Sequence, residues 1–119
     1  RPDGTSRITT PDTVESDEMI LDAGPETIAD LLARAGSASF VLWNGPLGNY
    51  ERGYKEQTEV LARGLAELSA ASIVGGGDTV ASIASLNLIE KYTFVSTGGG
   101  AMLEFLQDGT LVGIDALKR

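Results

Sequence analysis

Apolar positions are sparse before Met19 and regular after it. The first 18 residues, RPDGTSRITTPDTVESDE, are polar, acidic and punctuated by Pro2, Gly4 and Pro11, which is the composition of a flexible arm, with SRITT as a candidate edge strand. Residues 19–119 have a different texture. After the short apolar run MILD, Ile28, Leu31, Leu32 and Ala35 fall at i, i+3, i+4 and i+7, one face of a helix. Pro25 suits its first position and Gly36 its end, and Asp30 and Arg34 form an i,i+4 pair on the polar side.

Further along, SFVLW (39–43) is a continuous apolar run closed by a turn cluster, which predicts a buried strand. A helix follows from about Tyr54 to Leu68, with Tyr54, Leu61, Leu65 and Leu68 on one face and Glu56, Glu59, Arg63 and Glu67 on the other. ASIV (71–74) reads as a strand, DTVASIASL (78–86) as a helix, YTFV (92–95) as a strand and AMLEFLQ (101–107) as a helix. TLVGIDALKR closes the chain as a strand-like run and a short helical turn. Strands and helices alternating at these spacings predict parallel pairing through right-handed crossovers. The fold class is α/β: a Rossmann-like parallel sheet with helices on both faces, a partial three-layer arrangement.

Each strand is followed by a loop containing glycine: NGPLG, GGG and TGGG. Ligands of open parallel sheets bind beyond the carboxyl ends of the strands, so all three loops can converge on one crevice. Composition narrows what such a crevice can do. The net charge of −8 argues against nucleic acid and anionic membranes as partners. There is no cysteine and no histidine, which removes thiolate chemistry and the commonest general base and metal ligand. No basic-then-apolar leader and no long apolar run occurs, so a soluble, cytoplasmic protein is expected.

Gly75, Gly76 and Gly77 allow two readings: a tight strand-to-helix turn, or a loop whose amides and following helix N-terminus face an anion. No lysine follows them, so this is not a Walker loop, and the spacing is not G-x-G-x-x-G. Asp78 is equally open. It can be the helix N-cap, or it can bind a divalent cation of the kind that accompanies a nucleotide polyphosphate. WNGPLGNYE (43–51) is a turn by its Asn44-Gly45-Pro46 signal, with Trp43 in the core, yet Asn44 and Glu51 could grip ribose hydroxyls or a phosphate. VSTGGGAMLEFL repeats the pattern with Thr97, Gly98, Gly99 and Gly100, a turn or a hinge.

VLWNGPLGNYE, IVGGGDTVASI, FVSTGGGAMLEFL and LVGIDALKR, in this order and spacing, closely resemble the C-terminal part of phosphoglycerate kinase, and MILDAGPETIADLL resembles the family segment that precedes them. The family is a two-domain, hinge-bending monomer of glycolysis that transfers a phosphoryl group between 1,3-bisphosphoglycerate and ADP with Mg²⁺. The resemblance implies that Asn44 and Pro46 lie along the nucleotide and that Glu51 accepts its ribose hydroxyls. Gly76, Gly77, Asp78 and Thr79 would surround its phosphates, with Asp78 on Mg²⁺. Ser96, Thr97 and Gly98 would belong to the hinge, and Gly76, Gly77, Gly99 and Gly100 to the phosphoryl-transfer side of the cleft. Asn49 and Tyr50 depart from the aliphatic residue and Phe that the family often has there. The resemblance further implies that the phosphoglycerate-binding domain and a lysine-bearing stretch of the nucleotide domain lie outside this chain. Its three lysines, Lys55, Lys91 and Lys118, are all outside the glycine loops. A fragment binding ADP or ATP with Mg²⁺, with little activity alone, is expected. Two alternatives are a non-catalytic nucleotide-binding module and a structural fragment that self-associates through exposed sheet edges.

Overall fold

The computed structural model describes residues 1–118. In chain order these form α1 (Pro25–Gly36), β1 (Phe40–Asn44), α2 (Glu56–Ala66), β2 (Ala71–Gly75), α3 (Gly77–Ser85), β3 (Phe94–Ser96), α4 (Gly99–Asp108) and α5 (Val112–Leu117). The strands make one parallel sheet in the order β1-β2-β3. With the strands advancing in one direction, right-handed connections place both crossover helices on the same face. Accordingly α1, α2 and α3 pack side by side there, against Trp43, Val74 and the half-buried Val41 and Val95.

That layer is the core. Ile28 of α1, Leu61, Ala62 and Leu65 of α2, Val74 of β2 and Ile83 of α3 are all buried. Gly64 lets α1 and α2 close up, since a Cβ there would run into the Leu32 side chain. β3 begins later than the apolar run YTFV suggests, because Tyr92 turns inward and donates its hydroxyl to the Ala62 carbonyl at 2.8 Å. Thr93 then stitches to β2 through side chains: the Ser72 amide donates to its Oγ1 at 3.0 Å, and its own amide donates to Ser72 Oγ at 3.4 Å.

The second face is covered only in part. The register aligns Leu42, Ile73 and Phe94 in one row across it. Phe40, Leu42 and Phe94 are 52%, 41% and 57% exposed, although strands of parallel sheets are normally buried on both sides. α4 reaches this face, with Met102 against Gly75 at the carboxyl end.

Residues 1–24 form no strand, so SRITT is not an edge strand; a single 3-10 turn at Pro11–Thr13 interrupts an extended arm. Glu18 organises it. Arg7 donates to both its carboxylate oxygens, at 2.7 and 2.6 Å, Arg1 Nε donates at 3.1 Å, and the Glu15 amide donates at 3.0 Å. At the other end the strand-like half of TLVGIDALKR does not form either. Leu111 is extended, but α5 starts at once with Val112, and Arg119 lies outside the described residues.

Candidate functional site

The three glycine loops meet. Gly45 extends the β1–β2 ladder by donating its amide to the Gly75 carbonyl at 3.3 Å. Gly76 then turns the chain with φ of +93°, a conformation open to glycine, and its carbonyl accepts the first helical bond of α3 from Val80 at 2.9 Å. α4 starts the same way: Gly98 accepts from Met102 at 2.8 Å. The starts of the two helices touch. A Cβ on Gly99 would collide with the Gly76 amide nitrogen and with Asn44 Oδ1, and a Cβ on Gly75 would stand 2.6 Å from Asn44 Oδ1 and 3.1 Å from Gly99 Cα. Asn44, Gly75, Gly76 and Gly99 therefore form one junction at the carboxyl end of the sheet.

Neither helix is capped by a side chain. The N-cap of α3 is Gly76, and Asp78 is the second helical residue, which removes the simple N-cap reading of this aspartate. Asp78 is exposed and forms no hydrogen bond or ion pair among the described residues. Among the described residues no acceptor meets the amides of Gly77, Asp78 and Thr79 at the start of α3, or those of Gly99, Gly100 and Ala101 at the start of α4. Two positive helix ends thus face one crevice with their first-turn donors unspent.

Gly77 and Gly100 add a second observation. Both have ordinary φ, and a Cβ at either would meet nothing within 4 Å. Neither backbone conformation nor internal packing calls for glycine there, so the space a side chain would take is left open at the mouth of the crevice.

The loop after β1 is built differently. The Trp43 indole donates to the Gly45 carbonyl at 2.8 Å, the Leu47 amide donates to Thr58 Oγ1 at 3.1 Å, and the Asn49 amide donates to the Leu21 carbonyl at 2.8 Å. Tyr50 donates to the Gly48 carbonyl at 2.8 Å and opens a 3-10 turn over Tyr50–Arg52 that carries Glu51. Most of this loop's amides are spent inside the protein. What it can offer a ligand is carbonyls and the exposed side chains of Asn44, Asn49 and Glu51, with half-buried Pro46 between them.

The remaining candidates divide by burial. Ser96 ends β3, half-buried, while Thr97 and Gly98 are exposed at the joint leading into α4. Thr79 is fully buried, backbone included, and its hydroxyl has no hydrogen-bond partner among the described residues; it lies behind the first turn of α3 and not at its surface. Three contributors carry no sequence signal of their own. Thr58, Leu21 and Asp22 hold the β1 loop from elements 11 to 28 positions away, and nothing in their local patterns marks them.

Among the described residues no group of three or more His, Cys, Asp or Glu is placed to hold a metal. One free carboxylate nevertheless suits Mg²⁺ when phosphate oxygens supply its other ligands, and the unpaired amides beside it suit those phosphates and not the ion. Also among these residues, no helix is long and apolar enough to cross a membrane.

A family model described as phosphoglycerate kinase matches residues 2–109. Among solved structures, the phosphoglycerate kinase from Coxiella burnetii is similar with a TM-score of 0.73 and 44% sequence identity. The match covers 82% of this chain and 25% of that one.

Proposed function

The chain belongs to the phosphoglycerate kinase family, and from that premise we propose that it is the part of such a kinase that holds Mg²⁺-ADP or Mg²⁺-ATP for phosphoryl transfer to or from a phosphoglycerate. The observation that carries this is the meeting of two uncapped helix N-termini at Gly76 and Gly99, with unspent amides and the unpaired carboxylate of Asp78 beside them. The amides of Gly77, Asp78, Gly99 and Gly100 would donate to nucleotide phosphate oxygens. The β1 loop, with most of its own amides spent, would take the sugar: Glu51 accepting from the ribose hydroxyls, Asn44 and Pro46 lying along the nucleotide.

Asp78 would hold Mg²⁺ together with the phosphates, and the ion supplies positive charge against the charge that builds on the transferring group. Donors already aimed at the crevice need no rearrangement during the reaction, which is where most of the acceleration of phosphoryl transfer arises. No residue need act as nucleophile or general base, because the reacting oxygens belong to an acyl phosphate and a diphosphate. Ser96, Thr97 and Gly98 would flex as the cleft closes. The phosphoglycerate would be held by parts of the family that this chain does not span, in a monomeric, cytoplasmic, glycolytic enzyme.

No lysine or arginine lies within the loops 44–48, 75–79 or 96–100. The 119-residue chain alone is therefore expected to bind nucleotide weakly and to transfer no phosphoryl group. Titrating Mg²⁺-ADP into wild type and Asp78→Ala tests the assignment. Binding should depend on Mg²⁺ and fall in the variant; equal binding with and without Mg²⁺ would remove the metal role from Asp78.

A further inference from the structure

We propose that Thr58 of α2 is a positioning residue for the nucleotide loop: its buried hydroxyl fixes the Pro46–Leu47 peptide, while Gly48 keys the same loop against Asp22 and Tyr54. This rests on the assignment of residues 44–51 to the nucleotide. Thr58 is fully buried, yet its hydroxyl oxygen is spent on a loop amide 11 residues upstream, accepting from Leu47 at 3.1 Å. The N–H and C=O of a trans peptide point in opposite directions. Holding the Leu47 N–H on α2 therefore turns the Pro46 carbonyl away from the helix and fixes the orientation of the segment between Asn44 and Glu51.

One residue on, the loop is gripped from its other side. A Cβ on Gly48 would stand 2.5 Å from the Tyr54 carbonyl oxygen and 2.6 Å from Asp22 Oδ1, so only glycine allows this approach. Asp22 cannot easily give way, because the same oxygen accepts the Ala23 amide at 2.8 Å. The Leu21 carbonyl beside it accepts the Asn49 amide. The loop is thus clamped between the inner face of α2 and the segment leading into α1.

A ligand loop held this way has little ordering left to do on binding, and that saving appears as affinity. Replacing Thr58 by the isosteric Val keeps the packing but strands the Leu47 amide; Thr58→Ser keeps the acceptor and loses only a methyl group. Gly48→Ala attacks the opposite clamp. In the full-length enzyme, Thr58→Val is expected to raise the KM for Mg²⁺-ADP and its calorimetric Kd by about tenfold, the effect of losing one buried hydrogen bond. The KM for the phosphoglycerate substrate and kcat at saturating nucleotide should stay near wild type. Thr58→Ser should restore nucleotide affinity, and Gly48→Ala should weaken it.

Unchanged nucleotide affinity in Thr58→Val or in Gly48→Ala would overturn the proposal. So would a rise in both substrates' KM values that Thr58→Ser fails to rescue, since that marks general loss of packing. Failure of wild type to bind Mg²⁺-ADP would instead overturn the nucleotide assignment itself, and the wild-type titration separates the two outcomes.

Discussion

At the scale of single residues, the glycines of the crevice do different jobs, and substitution should separate them. Gly76 is required by conformation: with φ of +93° and ψ of 133° it occupies a region costly to any L side chain. Gly76→Ala should lower stability by about 1–3 kcal/mol, read from the denaturant midpoint, and weaken nucleotide binding as the α3 terminus shifts. Gly99 is required by contact, since its Cβ would drive apart Asn44 and Gly76. Gly77 and Gly100 are required by neither, because their Cβ atoms would enter open space. Gly77→Ala should therefore leave the unfolding midpoint near wild type and still reduce Mg²⁺-ADP affinity in titration. Were the glycine only a turn former, affinity would not move. Asp78 belongs with this pair: exposed and unbonded, its removal should cost binding and not stability.

Among the elements, the segment leading into β3 and the arm carry groups whose protonation the fold controls. Burial pushes the Tyr92 phenol up to about 12, while in the unfolded chain it titrates near the ordinary phenol value of 10.0. Between those values the unfolded state loses the proton first, so the contribution is intact below pH 10 and is lost as pH rises toward 12. The melting temperature should fall across that window, and less steeply in Tyr92→Phe, which would also lose the 2.8 Å bond to Ala62 at neutral pH. The arm responds at the other end of the scale. Hydrogen bonds from Arg7, the Glu15 amide and Arg1 hold the Glu18 carboxyl well below its usual range. That tethering is full above the ordinary carboxylate pKa and is lost as pH falls toward the depressed value. Glu18→Gln should expose residues 1–18 to limited proteolysis at neutral pH while leaving the sheet protected. α1 was legible to the residue because Pro25 and Gly36 punctuate a clean helical period, and β1 and β2 because short apolar runs end in glycine turns. The late start of β3 was not, since Tyr92 sits in an apolar run but spends its hydroxyl on a helix 30 residues away. In the crevice, the glycine loops and Asp78 could be read from order along the chain. Thr58 and Asp22 could not, because their roles exist only where distant segments touch.

For the whole molecule, shape and surface point the same way. The radius of gyration is 16.8 Å, against about 13.5 Å for a compact chain of this length, and the long axis is 57 Å. The excess accompanies the extended arm and a core confined to one face of the sheet. On the opposite face Phe40, Leu42 and Phe94 form an apolar surface, and β1 and β3 each leave a hydrogen-bonding edge with no partner strand among the described residues. A cleft of about 420 Å³ lies beside β1, bordered by Leu31, Ala35 and Leu61 and continuous with Phe40 and Leu42. Unpaired edges beside exposed apolar rows template association with further chains. The purified 119-residue chain is therefore expected to self-associate, and its net charge of −8 should make association rise with salt as repulsion between copies is screened. Sedimentation velocity at low and high salt measures this. Leu42→Glu with Phe94→Glu should move the distribution toward monomer. Because these positions lie on the sheet face and not in the loops at its end, that variant should keep the Mg²⁺-ADP affinity of the wild-type chain. A sharp monomer at all salt concentrations would show that the exposed face is tolerated without a partner.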